Sequence, residues 1–246
     1  MTVKLVVRAG SHSAQGIRPN NEDRFVTDLD QNLFLVADGM GGQERGELAS
    51  GMAAEIIPQM VHDRLAAMEP AEQVVRTALA KANQAIVEAG RSQPEGRRMG
   101  TTAVVALHCN NHVYVAGLGD SRAYLIRDGK VELLTVDHSV AQALVISGAL
   151  TPEEARHSPY QHVLHKFLGC ANMPDGAEVR PFCPKAGDRL VLGSDGLTNH
   201  LSDKDLSAGP RLYPDPQEWA DYLVRAALER GSRDNVTCVV VAFEAA

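Results

Sequence analysis

Two very short joints between β-prone segments constrain the fold of this chain more than any other feature. Asn110-Asn111 and Asp128-Gly129 are both good two-residue hairpin turns, and each separates two apolar segments. Neighbouring parallel strands need crossover connections of a dozen or more residues, so segments joined this tightly pair antiparallel. The pattern therefore argues against a doubly wound parallel sheet. The four segments are Thr101–Cys109, Val113–Gly117, Arg122–Ile126 and Val131–Leu134.

Amphipathic helices are predicted before and after these strands. Residues 44–65, 71–89 and 215–230 carry apolar side chains at helical spacing, and Pro58 is expected to kink or break the first helix. Helices that cover an antiparallel sheet assembly make an α+β fold. The apolar positions of the three helices are Leu48, Met52, Ile56 and Met60, then Val75, Leu79, Ala82 and Ile86, then Trp219, Leu223 and Ala226.

Further strands are predicted on both sides of the hairpins, and two other segments lack strand character. The predicted strands are residues 3–9, 24–29, 33–37, 177–182, 189–193 and 236–243. Residues 91–100 are rich in glycine and arginine and are predicted to be a loop. Residues 138–175 hold four histidines and three prolines and are interpreted as an inserted lid or flap.

Aspartates recur where these apolar segments begin or end. Three of the four are next to glycine, which lets the backbone turn sharply and lets a carbonyl approach a ligand closely. One aspartate of this kind is commonly only a turn residue, but the joint pattern predicts a shared carboxylate cluster. The four residues are Asp38, Asp120, Asp195 and Asp234.

The chemistry of such a cluster suits a hard divalent cation. Carboxylate and carbonyl oxygens favour Mg²⁺ or Mn²⁺, and the aspartates are not accompanied by the histidine or cysteine spacing of a zinc site. Magnesium held by a few carboxylates usually serves phosphate chemistry, and two ions can clamp a phosphoryl group. Arg18 is the best candidate to hold phosphate oxygens, and Glu22 and Asp23 follow it closely enough to add outer acids.

An ordered set of motifs resembles the metal-dependent protein phosphatases of the PP2C type, and most of all the small bacterial members. The resemblance implies a four-layer α-β-β-α sandwich of two antiparallel sheets flanked by helix pairs. It also implies a single domain over residues 1–246, with the flap at about 138–175. The motifs are Arg18-x-x-Asn21-Glu22-Asp23, Asp38-Gly39-Met40-Gly41-Gly42, Gly100-Thr101-Thr102-Ala103, Gly119-Asp120-Ser121-Arg122, Ser194-Asp195-Gly196-Leu197 and Arg233-Asp234-Asn235.

The same resemblance implies roles for individual residues and an activity. Asp38 would bridge two Mn²⁺ or Mg²⁺ ions, and the Gly39 carbonyl would bind the second. Asp195 and Asp234 would complete the first site. Asp120, with Asp195, would hold a third ion. The implied activity is hydrolysis of phosphoserine and phosphothreonine in proteins by a hydroxide that bridges the metals.

Carried over in the same way, Glu22 and Asp23 would act on the metals through water, and Arg18 would grip the phosphate. The implied partners are phosphorylated proteins and a bacterial Ser/Thr kinase whose action the phosphatase opposes.

Two departures from the family pattern leave the proton donor and the substrate preference open. Met40 stands where the animal enzymes carry a histidine proposed to protonate the leaving group. The flap ends in Leu164–Gly169, without the Thr-Arg pair common in bacterial members. A metal-bound water or a flap histidine is the alternative donor. His138 and His157 are the flap candidates for substrate contact or proton transfer.

Two other function classes remain open, and one is rejected. A PP2C-fold binding protein without turnover and a hydrolase of small phosphoesters both fit parts of the pattern. Cys183 and Arg189 match the Cys-x5-Arg spacing of cysteine phosphatases, but Arg189 opens a predicted strand and Pro184 lacks an amide N–H. Cys183 is therefore interpreted as structural.

Composition bounds the surroundings in which the chain is expected to work. The net charge is −7 and there is no basic run, which argues against nucleic acid and anionic membranes as partners. No apolar stretch approaches the roughly 18 residues of a membrane span. Together with four scattered cysteines, these features predict a cytoplasmic protein with reduced thiols, expected to be monomeric.

Overall fold

The computed structural model describes residues 4–91, 99–173 and 176–246, which form eleven strands and seven helices. The strands are β1 Leu5–Ala14, β2 Asp23–Asp28, β3 Leu33–Met40, β4 Gly100–Thr101, β5 Ala103–Cys109, β6 His112–Leu118, β7 Arg122–Arg127, β8 Lys130–Leu133, β9 Val179–Phe182, β10 Arg189–Gly193 and β11 Val236–Ala245. The helices are α1 Gln43–Ala66, α2 Ala71–Arg91, α3 Val140–Ile146, α4 Pro152–Arg156, α5 Asp195–Thr198, α6 Asp203–Leu212 and α7 Pro216–Glu229.

The strands form two sheets in which every described pair is antiparallel, as predicted. One sheet has the order β1-β11-β10-β7-β8, and the other has the order β2-β3-β5-β6-β9, with β4 paired to β3. Both predicted hairpin turns have positive φ at their two central residues, 50° and 63° at Asn110 and Asn111, and 52° and 71° at Asp128 and Gly129. These angles fit the turn that matches strand twist.

The two hairpins lie in different sheets, which the sequence pattern did not show. β5 and β6 pair in the six-stranded sheet, while β7 and β8 pair in the five-stranded sheet. The chain crosses between the sheets at residues 119–121, so Asp120 lies at the crossover.

Alternation along the strands produces four layers. Leu33, Leu35 and Ala37 of β3 belong to the cluster that packs against α1 and α2. Phe34 and Val36, on the opposite face of β3, pack in the core between the two sheets. The outer face of the other sheet is covered by α5, α6 and α7 in a third cluster. This arrangement confirms the predicted α-β-β-α sandwich.

The predicted buried face of α1 is wrong by one residue. Leu48 is 48% exposed, whereas the fully buried residues are each one position later. Small side chains at two of these positions let α1 pack closely on α2 and β3. The spacing of apolar residues does not show which of two neighbouring helix faces packs more closely. Pro58 was expected to kink or break this helix; α1 is continuous through Pro58, so the break is wrong and the kink stays a prediction. The buried residues are Ala49, Ala53, Ile57 and Val61.

The other two predicted helices are confirmed. The predicted apolar positions of α2 are buried, and so are those of α7. The sequence pattern missed α6, a helix that carries Gly209 and Pro210 in its last turns. Gly209 is needed there because a Cβ atom would lie 2.0 Å from the Trp219 ring.

The flap region contains short helices and is bonded to the sheet at its base. It includes α3 and α4, and isolated bridges join Thr101 to Leu168 and Ser139 to Leu164. Most of the predicted loop at 91–100, and Pro174 in the flap, lie outside the described residues. Among the helices of the described ranges, none combines the length and apolar character needed to cross a bilayer.

Candidate metal centre

The four predicted aspartates come together at one end of the sandwich. Asp38 lies near the C-terminal end of strand β3, and Asp120 lies at the crossover between the sheets. Asp195 begins α5, and Asp234 lies just before β11. All four line one cavity of about 290 Å³. Arg18, Glu22 and Gly39 also line this cavity, so the segments that the motifs singled out meet at the same place.

Hydrogen bonds fix the strand end that carries Asp38. The Asp38 amide donates to Thr102 Oγ1 at 2.9 Å, and the Thr102 amide donates to the Asp38 carbonyl at 2.8 Å. The Thr101 hydroxyl donates to the same carbonyl at 2.9 Å. Because these bonds hold the backbone on both sides, the Asp38 carboxylate is presented from a rigid support.

Close backbone packing places Gly39 against the first turns of α1. The Gly39 amide donates to the Glu22 carbonyl at 3.2 Å, and a Cβ atom at Gly39 would lie 2.1 Å from the Gly46 carbonyl oxygen. A Cβ atom at Gly46 would lie 1.8 Å from Glu22 Oε2. The two glycines are therefore required for Glu22 and the end of β3 to approach α1.

Burial and mutual repulsion raise the pKa values of the carboxylates. Burial, followed by the charges of Asp23, Asp195 and Asp120, raises the pKa of Asp38 well above its usual value. Burial, with the neighbouring Asp195 charge, raises the pKa of Asp120 to about 7. Like charges held together out of water resist ionisation, and a bound cation removes that penalty.

Asp23 supplies a direct test of whether a cation fits this site. Its carboxylate is buried, and burial with the charges of Asp195 and Asp234 raises its pKa to about 7. Oδ2 accepts a hydrogen bond from Ser194 Oγ at 2.8 Å, but Oδ1 has no partner among the described residues. A buried oxygen acceptor without a partner, beside several carboxylates, is the donor set that suits Mg²⁺ or Mn²⁺.

Arg18 faces the cluster and pairs with one of its members. Its guanidinium Nη2 lies 2.6 Å from Asp234 Oδ2, and its side chain is 56% exposed. The hydrogen bond to Asp234 raises the pKa of Arg18, and the charges of Asp38 and Glu22 act in the same direction. The guanidinium therefore lies beside the carboxylates and is partly exposed to solvent.

The flap histidine nearest the cluster is one that sequence reasoning missed. His162 Nδ1 lies 3.5 Å from Asp195 Oδ2, and one ligand atom each from Asp120, His162 and Asp195 lie within 4.8 Å of one another. The nearby Asp195 carboxylate raises the pKa of His162. No spacing in the sequence distinguishes His162 from the other flap histidines, because its position depends on how the flap folds back.

The two flap histidines singled out from the sequence lie elsewhere. The Gly119 amide donates to His138 Nδ1 at 3.2 Å, so this ring supports the turn before Asp120. Burial, with the Lys166 charge, lowers the pKa of His138 to about 4. His157 is exposed at the end of α4, and no described ion pair or hydrogen bond joins its ring to the carboxylates. Its role remains a prediction.

The cysteine motif does not form a phosphate loop. Cys183 is an exposed free thiol after β9, and Arg189 begins β10, where it lies 3.4 Å from Glu244. Residues 183–189 are all described, and no helix begins among them. A thiolate mechanism needs such a helix N-terminus, so Cys183 is excluded as its nucleophile.

Several carboxylates meet at one end of a two-sheet sandwich, and an arginine lies beside them. This arrangement is typical of metal-dependent phosphatases. The family model for protein phosphatase 2C matches residues 9–235. The chain therefore belongs to the protein phosphatase 2C family, which confirms the resemblance found in the motifs.

Known relatives share both sequence and fold with this chain. The serine/threonine protein phosphatase PstP of Mycobacterium tuberculosis is 35% identical over 97% of this chain, which spans only 45% of the PstP length. The serine/threonine phosphatase stp of Listeria monocytogenes is 32% identical over 92% of this chain and 91% of its own length.

A crystal structure of a relative bears on the cofactor. The catalytic domain of PstP in complex with two manganese ions superimposes with a TM-score of 0.81 at 33% identity, covering 98% of this chain and all of that one. At the level of the family, this confirms the predicted Mn²⁺ or Mg²⁺ chemistry, and the acidic cluster described above could bind such ions.

Proposed function

We propose that this chain hydrolyses phosphoserine and phosphothreonine monoesters in proteins with the help of divalent metal ions. The observation that carries the proposal is the meeting of four separately placed aspartates and Arg18 in one cavity. Membership of the protein phosphatase 2C family supports it, as do the names of the relatives as serine/threonine phosphatases.

Each acid has a proposed part in holding the ions. Asp38, Asp195, Asp234 and the Gly39 carbonyl would hold two ions, with Asp38 contributing to both sites, Asp195 and Asp234 to the first and Gly39 to the second. Asp120, together with Asp195, would hold a third ion. When bound, the ions supply Lewis-acid polarisation of the phosphoryl group and activation of water.

Glu22 and Asp23 act from behind the ligands in this proposal. Asp23 is buried, and its unpartnered Oδ1 is available to a water or an ion at the back of the cluster. Glu22 lines the cavity, and contact with Gly46 fixes its position. Both acids add negative charge that makes the cavity more favourable to cations.

Arg18 orients the phosphate. A guanidinium offers parallel donors that match two phosphate oxygens, and its exposed position lets it exchange Asp234 for substrate without unfolding the site. Asp234, once released, is free to ligate an ion. Binding of phosphate by Arg18 and binding of an ion by Asp234 therefore favour each other in this proposal.

Among the flap histidines, His162 is the one proposed to meet the substrate. It lines the cavity with the four aspartates, while Met40 occupies the wall where a histidine would otherwise stand. The low pKa of His138 makes its ring a hydrogen-bond acceptor at neutral pH, so its proposed role is to support Asp120.

The wider proposals concern the whole protein. We propose phosphorylated proteins as substrates, a cognate Ser/Thr kinase as functional counterpart, and a monomeric catalytic domain spanning residues 1–246 that acts in the cytoplasm. The fold and family support the catalytic domain, and size-exclusion chromatography with light scattering tests the monomer.

A panel of phosphorylated compounds tests the function. Phosphate release is measured with Mn²⁺ from phosphoserine, phosphothreonine and phosphotyrosine peptides and from p-nitrophenyl phosphate. We expect the serine and threonine peptides to be the best substrates and phosphotyrosine to be poor. Release from the small ester alone would identify a small-phosphoester hydrolase, and peptide binding without release would identify a binding protein. Cys183→Ser is the control for thiol chemistry and is expected to retain the wild-type rate.

A further inference from the structure

A second cavity, of about 1030 Å³, adjoins the carboxylate cluster. It shares Arg18, His162, Asp195 and Asp234 with the smaller cavity and extends away from them along α5 and the loop before β11. The bound phosphate would occupy only the end near the cluster. The rest of the cavity is therefore available to the chain that carries the phosphate.

Two arginines that line this cavity have no carboxylate partner among the described residues. Arg156 comes from α4 of the flap, and Arg233 comes from the loop before β11. Both are exposed, and neither takes part in an ion pair or hydrogen bond within the described part of the chain. Most other arginines in the described ranges do pair with acids, and the chain has 31 acidic residues against 24 basic ones.

The local charge balance makes this wall attractive to anions. The acids of the cavity wall are Asp195 and Asp234, of which Asp234 pairs with Arg18. Arg122, also in the wall, pairs bidentately with Asp137, leaving Arg156 and Arg233 uncompensated. The net charge of the protein is −7, yet two arginines of this cavity wall are unpaired in the described part of the chain, and their charges attract anions to this place.

We propose that Arg156 and Arg233 form a second anion subsite that reads an acidic or phosphorylated residue close to the phosphate being removed. This inference rests on the proposed phosphoprotein phosphatase function and specifies its substrates. A cavity of this volume is about 10 Å across, which corresponds to roughly three residues of extended chain. The second anion is therefore expected two to four residues from the reacting one.

Peptides that differ in one position distinguish the possible anions. Four phosphothreonine peptides carry alanine, glutamate, phosphothreonine or lysine three residues away, and kcat/KM is measured for each with Mn²⁺-loaded enzyme. We expect the second phosphate to raise kcat/KM about three- to tenfold over alanine, which is the size of one charge-assisted contact at an exposed site. A gain with glutamate as well indicates recognition of any anion, and a gain with phosphothreonine alone indicates recognition of phosphate.

Single variants assign the gain to the two arginines. In Arg156→Ala and in Arg233→Ala, the ratio of kcat/KM between the doubly and singly phosphorylated peptides is expected to fall towards two, the value that two equivalent phosphates give without a subsite. Arg211→Ala, an exposed arginine of α6 outside this cavity, is the matched control and is expected to keep the ratio. A wild-type ratio of about two or less, or a ratio unchanged in both variants, overturns the proposal.

A binding measurement separates this inference from the proposed function. If no peptide releases phosphate, the proposed function fails, and the subsite is then tested by fluorescence anisotropy of the same labelled peptides. Tighter binding of the doubly phosphorylated peptide that depends on Arg156 and Arg233 supports the subsite without turnover. Equal binding of all four peptides contradicts it.

Discussion

The guanidinium of Arg18 donates a 2.6 Å hydrogen bond to Asp234, so a cation of the N-terminal loop neutralises a carboxylate 216 residues later in the chain. Both side chains are partly exposed, which makes the pair exchangeable. The contact permits two interpretations. Arg18 either binds the phosphate of the substrate or anchors the N-terminal loop. The two interpretations predict different properties for the variant Arg18→Ala.

Replacing Arg18 tests the phosphate grip. In Arg18→Ala we expect KM for a phosphothreonine peptide to rise roughly ten- to hundredfold, because one charge-assisted contact of about 1.5–3 kcal/mol is lost. The KM of Arg18→Lys should lie between those of wild type and Arg18→Ala, since lysine offers a point charge rather than two parallel donors. The melting temperature should change little, because exposed ion pairs contribute about 0–1 kcal/mol.

The control for Arg18 is another exposed ion pair outside the cavity. Arg8 pairs with Asp215, and Arg8→Ala is expected to keep the wild-type KM. A lower melting temperature with normal KM in Arg18→Ala would show that Arg18 serves only as an anchor.

Removing one charge from the cluster separates catalysis from folding. Asp38→Asn and Asp195→Asn keep the shape of the side chain and should each reduce turnover by about a thousandfold, because metal ligation supplies several kcal/mol of transition-state stabilisation. The metal-free variants should melt at or above the wild-type temperature, since repulsion in the cluster decreases. Asp63→Asn, on the surface of α1, is the control. A variant that retains most of the wild-type rate would refute the metal assignment for that residue.

Metal-free stability should depend on pH through Asp120. The pKa of Asp120 is about 7 in the folded chain and about 3.9 in an unfolded one, so the folded state binds the proton more tightly. Its contribution to stability is full below pH 4 and is lost as the pH rises towards 7. In EDTA, the melting temperature of wild type relative to Asp120→Asn should therefore decrease by about 5 °C between pH 5 and pH 7.

Asp205 is a control because its pKa is shifted in the opposite direction to that of Asp120. The Arg230 guanidinium holds the pKa of Asp205 well below its usual range, so its stabilisation is lost only when the pH falls below about 4. Between pH 5 and pH 7, wild type and Asp205→Asn should differ by a constant amount. A constant difference for Asp120→Asn as well would contradict the assigned proton affinity.

Two glycines of α1 form a matched pair for testing the packing behind Glu22. Gly46→Ala places a methyl group 1.8 Å from Glu22 Oε2 and close to Gly39, so we expect a stability loss of about 1–3 kcal/mol and weaker Mn²⁺ binding. Gly51→Ala points into open space in the same helix and should gain roughly 0.5–1 kcal/mol. Thermal melting and calorimetric Mn²⁺ titration of both variants measure the contrast, and equal behaviour would refute the packing argument.

Local signals in the sequence identified the carboxylates but not every relationship between them. Asp38 and Asp195 were predictable because each follows an apolar strand and precedes glycine, a pattern contained within a few residues. The crossover at Asp120 was not, because the choice between two sheets depends on contacts far along the chain. His162 was missed for the same reason. The buried face of α1 was predicted one residue too early, because alanines carry little hydrophobic signal yet permit the closest packing.

A Mn²⁺ titration of phosphatase activity tests the central claim most directly. Phosphate release from a phosphothreonine peptide is followed as Mn²⁺ is added to metal-free wild type, with the number of bound ions measured calorimetrically on the same sample. The account predicts no release in excess EDTA and activity that rises with the binding of at least two ions. Undiminished release in excess EDTA would contradict it.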